Sequence, residues 1–369
     1  MRVLIVGAGV IGSSIAYHLA LRGAGVAVLE RNAVACAASG KSGGFLALDW
    51  CDGTPLMALA RRSFALHGEL AELLEGDWGY RRMTSYAATL GRSPALTFAA
   101  GPGWISPDVA IAGRIGSTAT TAQVNPAAFT AGMMRAAEAR GAQLLLGETE
   151  GLLYSHGNVV GALFDGDALK ADAVVIAMGP WSTRAAQWLP LPPVFGLKGH
   201  SIVFQTGAAI PPEALFLEYA EPDGSMLAPE IFPRADGTTY VCGISRESSL
   251  PIDPGLVAPD DGAIDRLKML CERVSPVLAN APIVASQACL RPVTADGLPL
   301  IGAVAGARGA YVATGHSVWG ILNAPATGEA MAELILDGAA RSIDLSPFDP
   351  ARLAASDPDR VSVTRRPIG

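Results

Sequence analysis

Arg2-Val-Leu-Ile-Val-Gly-Ala-Gly-Val-Ile-Gly12 decides the fold. From Arg2 to Val6 the chain runs apolar at strand length, and a helical pattern starts at about Ile11 and reaches Arg22. Between them stands GxGxxG. Gly7 permits a tight turn, Gly9 leaves room for a pyrophosphate against the backbone, and Gly12 lets helix and strand close up. With Val10 and Ile11, these residues open a helix whose free N–H groups and positive dipole end suit phosphates. Gly23 and Gly25 stop the helix, and Val26 to Leu29 form a second apolar strand. That strand ends in Glu30, placed 18 residues after Gly12 (30 − 12), where an acid accepts both hydroxyls of a ribose. Arg31 follows it in the same cofactor-binding set. The motif alone is weak; its strand–turn–helix–strand–acid setting predicts dinucleotide binding.

Working outward, apolar strands alternating with helices mean a parallel sheet covered on both faces. A helix is expected over 55–74, with an apolar face through Leu59, Phe64 and Leu70. From 80 to 124, short Thr-, Ser- and Gly-rich stretches read as strands and loops of a second domain. Asn125-Pro126 is a helix start, cap residue then proline, and Gly141 is its stop. Gln143–Leu146, Val159–Phe164 and Ala173–Ala177 follow as a strand, a hairpin-like excursion and a buried strand. A crossing at Pro190-Leu-Pro-Pro193 leads to mixed strands and a helix near 260–274. The chain then returns through 290–301 and a strand at 310–313 to a helix over 324–336.

The 369 residues suffice for two connected domains, and 50% hydrophobic with 17% charged residues supports a large core. The net charge is −7 with no basic run, which argues against a nucleic-acid partner. The apolar N-terminal stretch is broken by glycines, so neither a signal peptide nor membrane insertion is expected. Five scattered cysteines show no CxxC pair and no zinc spacing. No metal site is expected, and a reducing, cytoplasmic setting fits.

Four separated motifs carry a family resemblance. They are the glycine turn; Val174-Val-Ile-Ala-Met-Gly-Pro-Trp-Ser182; Leu290-Arg-Pro-Val-Thr-Ala-Asp-Gly-Leu-Pro-Leu-Ile-Gly302; and Gly315-His-Ser-Val-Trp-Gly-Ile-Leu-Asn-Ala-Pro-Ala-Thr-Gly328. In this order the chain resembles the flavin amine oxidoreductases, which include D-amino-acid oxidase, glycine oxidase and monomeric sarcosine oxidase. Ser39-Gly-Lys-Ser-Gly-Gly-Phe-Leu-Ala47 and Gly199-His-Ser201 give a closer resemblance to a poorly characterised branch of that family. The resemblance implies an α/β fold: a Rossmann-like, doubly wound FAD-binding domain and a substrate domain with a mostly antiparallel β-sheet. The boundaries are placed at 1–50, 125–190 and 284–369 for the first, and 51–124 and 191–283 for the second.

It implies FAD as cofactor, held by the glycine turn, by the loop with Ser39, Lys41, Ser42, Gly43 and Gly44, and by Gly179 at a strand end. Trp181, Gly315, His316, Trp319, Gly320 and Ile321 complete the set. Arg291, in its Leu-Arg-Pro setting, is expected to grip a substrate carboxylate, the fork geometry of a guanidinium suiting a bidentate pair; a structural pairing with Asp296 is its alternative. Cys289 aligns with a cysteine that bonds flavin covalently in sarcosine oxidase, a role that requires a lowered thiol pKa. His200 is expected to face the pocket. Three positions depart from the family: Glu230 where glycine oxidase has a pocket tyrosine, Val318 where it has a second arginine, and Pro251 where sarcosine oxidase has an oxygen-assisting lysine. Glu230 would hold a cationic amine or act as its base; pairing with Arg234 is its alternative. The implied reaction is oxidation of a C–N bond of an amino acid or N-alkyl amino acid by hydride transfer to the flavin. A 2-hydroxy acid dehydrogenase, and a catalytically weak flavoprotein serving assembly or trafficking, are the rival readings.

Overall fold

A computed structural model describes residues 1–91, 101–221 and 224–356. Part of the 80–124 stretch therefore lies outside the described residues. The first sheet has six strands in the order Leu300–Ala303, Ala310–Thr314, Ala173–Ile176, Arg2–Val6, Gly25–Glu30, Gln143–Leu146. All neighbours run parallel except the 300–303 edge strand. From Arg2–Val6 the chain winds first one way and then the other, which sets a topological switch point between it and Ala173–Ile176.

Side-chain alternation along Arg2–Val6 divides the two faces. Val3 and Ile5 pack toward the helices Val10–Leu21, Pro126–Glu138 and Gly320–Asp337. Leu4 and Val6 join the opposite cluster with Val159, Ala162 and Phe164. Those three residues lie on the middle strand of a three-stranded antiparallel meander, Thr149–Ser155, Asn158–Phe164 and Asp167–Lys170. The hairpin-like excursion is this meander, so strands rather than helices cover the second face. The Asn125 side chain accepts from Ala128 N at 3.1 Å, as the cap reading required.

The second sheet is ordered Ile283–Val293, Phe195–Gln205, Thr238–Glu247, Glu230–Pro233, Glu213–Ala220, Thr84–Leu90, Val109–Gly116. It is antiparallel apart from the 213–220/84–90 pair. The amphipathic helix Ala263–Val274 closes one face through Leu267, Leu270 and Val274. The other face, with Val203, Phe232, Tyr240 and Cys242, looks toward the first sheet's switch point.

Two segments fall differently from the expected boundaries. Helix Met57–Leu73, assigned by sequence to the second domain, buries Leu59, Ala60, Phe64 and Leu70 in the core of the first, against Gly320–Asp337. The Arg62 guanidinium also binds Glu329 on that helix, at 2.7 Å and 2.9 Å. Residues 284–293 pair along Phe195–Gln205 and so belong to the second sheet. In both cases local periodicity gave the element, but only tertiary pairing decides its partner.

Candidate active site

The carboxyl ends of Arg2–Val6 and Ala173–Ile176 open into a cavity of about 390 Å³. Two glycines are fixed there by close approach. A Cβ on Gly7, whose φ is +109°, would lie 2.5 Å from Ala177 O, and one on Gly12 would lie 1.9 Å from Gly7 O. Gly7, Gly9, Val10 and Ile11 wall the cavity; Gly12 does not, and acts through packing. Glu30 is buried at the rim and fixed by two amides: Oε2 accepts from Ala8 N at 2.8 Å, Oε1 from Asn32 N at 2.9 Å. Arg31 also lines the cavity and pairs with Glu148.

The expected Ser39–Gly44 loop begins as a short helix, Ala38–Lys41. Ser39 Oγ accepts from Val10 N at 2.9 Å, which ties this segment to the glycine turn. Ser42, Gly43 and Gly44 line the cavity, whereas Lys41 does not. Across the cavity Gly179 and Trp181 follow the 173–176 strand, and Trp181 Nε1 donates to Pro251 O at 2.7 Å. Trp319, Gly320 and Ile321 present a second helix N-terminus without a side-chain cap. Gly315 stands back from the cavity, its Cβ position 2.7 Å from Thr294 Cγ2.

This cradle fits a dinucleotide. Two helix N-termini face one cavity, and two polar atoms buried in its wall, Ser42 Oγ and His316 Nδ1, have no protein partner. His316 Nε2 lies 3.1 Å from Thr327 Oγ1, and burial lowers the ring to about 3, so it is neutral at pH 7.

The second sheet supplies the remaining wall. Arg291 lies over Gly199, where a Cβ would be 3.3 Å from its Nη2, and donates from Nη1 to Ser245 Oγ at 3.3 Å. Asp296 is not its partner. Arg352 takes that carboxylate, with Nε 2.7 Å from Oδ2 and Nη2 3.1 Å from Oδ1. Among the described residues no carboxylate lies within ion-pair distance of Arg291. Burial lowers its pKa, but the acidic groups Cys242, Tyr240, Cys289 and Glu230 outweigh this and raise it overall, so Arg291 is charged.

Glu230 faces the same cavity. Its Oε2 accepts from Cys242 Sγ at 3.5 Å, and burial raises its pKa while Arg291 and Cys242 oppose the rise. Arg234 is not its partner either: that guanidinium donates to Ser42 O at 2.8 Å and lies over the Tyr240 ring.

His200 is corrected by the structure. Its neighbours Gly199 and Ser201 oppose Ser245, Cys289 and Cys242, whereas His200 opposes Ile244 and Ala288. Strand alternation therefore turns it to the helix-covered face, where Nδ1 meets Ile244 O at 3.1 Å and Nε2 is 3.0 Å from Asp260. Cys289 does line the cavity, but burial raises its thiol pKa, the reverse of what a covalent link requires.

Sequence reasoning missed an aromatic wall. Phe45, Trp50, Phe216, Phe232 and Tyr240 line the cavity beside Glu230. Only Phe232 left a signal: it stands two residues after Glu230 on one strand and so shares its face. The other rings arrive from distant segments.

The model of the FAD dependent oxidoreductase family matches residues 2–334. Glycine oxidase of Geobacillus kaustophilus is 28% identical across 95% of this chain and 96% of its own. Its crystal structure superposes with a TM-score of 0.79 over 95% of this chain and 99% of that one. A putative oxidoreductase of Schizosaccharomyces pombe is 29% identical over 94% of this chain and 97% of its own. With a dinucleotide cradle at the switch point and a family match from the first strand almost to the end of the last long helix, this chain belongs to the FAD dependent oxidoreductases.

Proposed function

We propose that this chain oxidises the C–N bond of an amino acid or N-alkyl amino acid, with Arg291 holding the carboxylate and Glu230 facing the nitrogen. The observation that carries this reading is Arg291 itself: a charged guanidinium walled into the cavity with a serine hydroxyl and, among the described residues, no carboxylate within ion-pair distance. A bidentate carboxylate satisfies it and fixes the orientation of the substrate.

Bound FAD supplies a two-electron acceptor, in the cradle of Gly7, Gly9, Glu30, Ser39 and the 320–337 helix N-terminus. The protein's own groups do the rest. A hydride leaves the carbon between nitrogen and carboxylate, the nitrogen gives up its proton, and a C=N bond forms that water then hydrolyses. Glu230 is placed to hold a protonated amine and to take the proton that must leave before the hydride does. A buried carboxylate favours an amine over a hydroxy acid, because only the amine brings the positive charge that offsets the desolvation of Glu230.

Anaerobic bleaching of the bound flavin tests this, using amino acids, N-alkyl amino acids, simple amines and hydroxy acids. Rapid bleaching by an amino-acid class is the expected result. Bleaching by the hydroxy acid and not by its amino counterpart would transfer the activity to alcohols. A flavin left oxidised by every compound would favour a binding or assembly role. Among the described residues no helix is long and apolar enough to cross a membrane.

A further inference from the structure

We infer that the substrate nitrogen carries an apolar substituent larger than a methyl group, seated against Phe45, Trp50, Phe216 and Phe232. This rests on the amine reading above and sharpens it to a substrate class. Phe216 stands directly opposite Glu230 across two paired strands, and Phe232 lies two residues further along on the same face. Phe45 stacks on Phe232 with centroids 5.2 Å apart and meets Phe216 edge-on at 5.0 Å. Trp50 closes the group, 5.0 Å from Phe45 and 4.8 Å from Phe216. The four rings form one continuous apolar surface next to the Glu230 carboxylate.

That surface belongs to the nitrogen end of the site. The strands of Glu230 and Arg291 are separated by Thr238–Glu247 and Phe195–Gln205. Three spacings of about 4.8 Å across the sheet, with the offset along it from Leu197 beside Arg291 to Ser201 in the row of Cys242 and Glu230, put their backbones roughly 20 Å apart. The Arg291 guanidinium reaches inward over Gly199 to Ser245, and Glu230 sits at Cys242 on that same strand, so a carboxylate and a nitrogen two bonds away can lie between them. With the carboxylate on Arg291 and the nitrogen at Glu230, a group on the nitrogen extends past Glu230 toward Phe216 on the next strand, while a group on the carbon starts farther from the rings. Phe45, Trp50 and Phe216 are only partly covered, while Phe232 is buried. Large apolar faces left open inside a cavity gain most from an apolar ligand group, and an acidic one would be repelled by Glu230.

The test uses the FAD-loaded full chain under anaerobic conditions, comparing flavin reduction by N-methylglycine, N-benzylglycine, glycine and phenylalanine. N-benzylglycine is expected to exceed N-methylglycine in reduction efficiency by about tenfold or more, while phenylalanine gains much less over glycine. Trp50→Ala and Phe216→Ala are expected to cut the benzyl-to-methyl ratio to below about threefold, and Phe216→Leu to retain most of it. Should an alanine variant fail to hold FAD, Phe216→Leu and the wild-type ratio decide. A wild-type ratio near one, a ratio untouched by the variants, or a larger gain for phenylalanine overturns the inference while the amine reading stands. Reduction by none of the amines overturns both.

Discussion

Cys242 directs its thiol at Glu230 Oε2 from the neighbouring strand, 3.5 Å away and directly opposite in register. Burial raises the pKa of both groups, and the Cys242 thiol stands well above the ordinary range, so it stays a donor. Glu230 is therefore the one of the two proposed to change charge in use.

This fixes a pH dependence. Glu230 binds its proton more tightly in the folded chain than at its ordinary 4.5. As pH rises above that value the unfolded chain loses the proton first, so folding stability falls with pH through the folded pKa. Glu230→Gln removes that fall. The variant is expected to gain stability relative to wild type over the range in which pH rises above 4.5, read by urea unfolding of substrate-free protein. A constant difference across that range would place Glu230 in a better-solvated site.

Arg291→Lys keeps the charge and loses the fork. A charged hydrogen bond contributes about 1.5 to 3 kcal/mol, so flavin reduction by the best amino-acid substrate is expected to drop roughly tenfold to hundredfold. The loss should appear mainly in half-saturation, and it should be far smaller for an amine without a carboxylate. Equal losses for both would remove Arg291 from the substrate.

Gly12 and Gly9 should respond differently to alanine. At Gly12 the new methyl collides with the Gly7 carbonyl at 1.9 Å; at Gly9 it meets only Ser39 Oγ, at 3.1 Å. Gly12→Ala is expected to cost about 3 kcal/mol or more in the unfolding of flavin-free protein. Gly9→Ala should leave that unfolding nearly unchanged and weaken FAD binding instead, measured by flavin fluorescence titration.

Arg352→Ala should release the 346–352 turns from Asp296. The Arg352 hydrogen bonds are the first cause holding Asp296 at about 2, below its ordinary 3.8. A lowered carboxylate pKa contributes stability above the unfolded value and loses it as pH falls through the folded one. The expected cost is about 1 to 2 kcal/mol near neutral pH, shrinking as pH drops from 3.8 toward 2.

Much of the nucleotide-binding half was legible because its signals are local. The glycine turn, Glu30 after an apolar strand, and the Asn125 cap each depend on residues a few positions apart. The substrate half was less so. His200 and Gly199 are neighbours in sequence and face opposite sides of a sheet, and nothing in Lys198-Gly-His-Ser201 states which parity meets the cavity. The aromatic wall draws its rings from around 45–50, 216 and 230–240, so it exists only after strand pairing. Arg291 was singled out by its motif, but that Asp296 pairs with Arg352 instead is a contact between residues 56 positions apart.

The strand Ala310–Thr314 pairs with Ala173–Ile176, and every strand from Phe195 to Val293 lies between them in the chain. During synthesis the nucleotide-binding sheet must wait, lacking its last parallel strand and the 320–337 helix, until the whole substrate sheet has left the ribosome. Such long-range closure is slow. A nascent chain halted before residue 310 would expose the unpaired edge of Ala173–Ile176, so the cofactor site marks the last stage of maturation and its absence would mark an unfinished molecule.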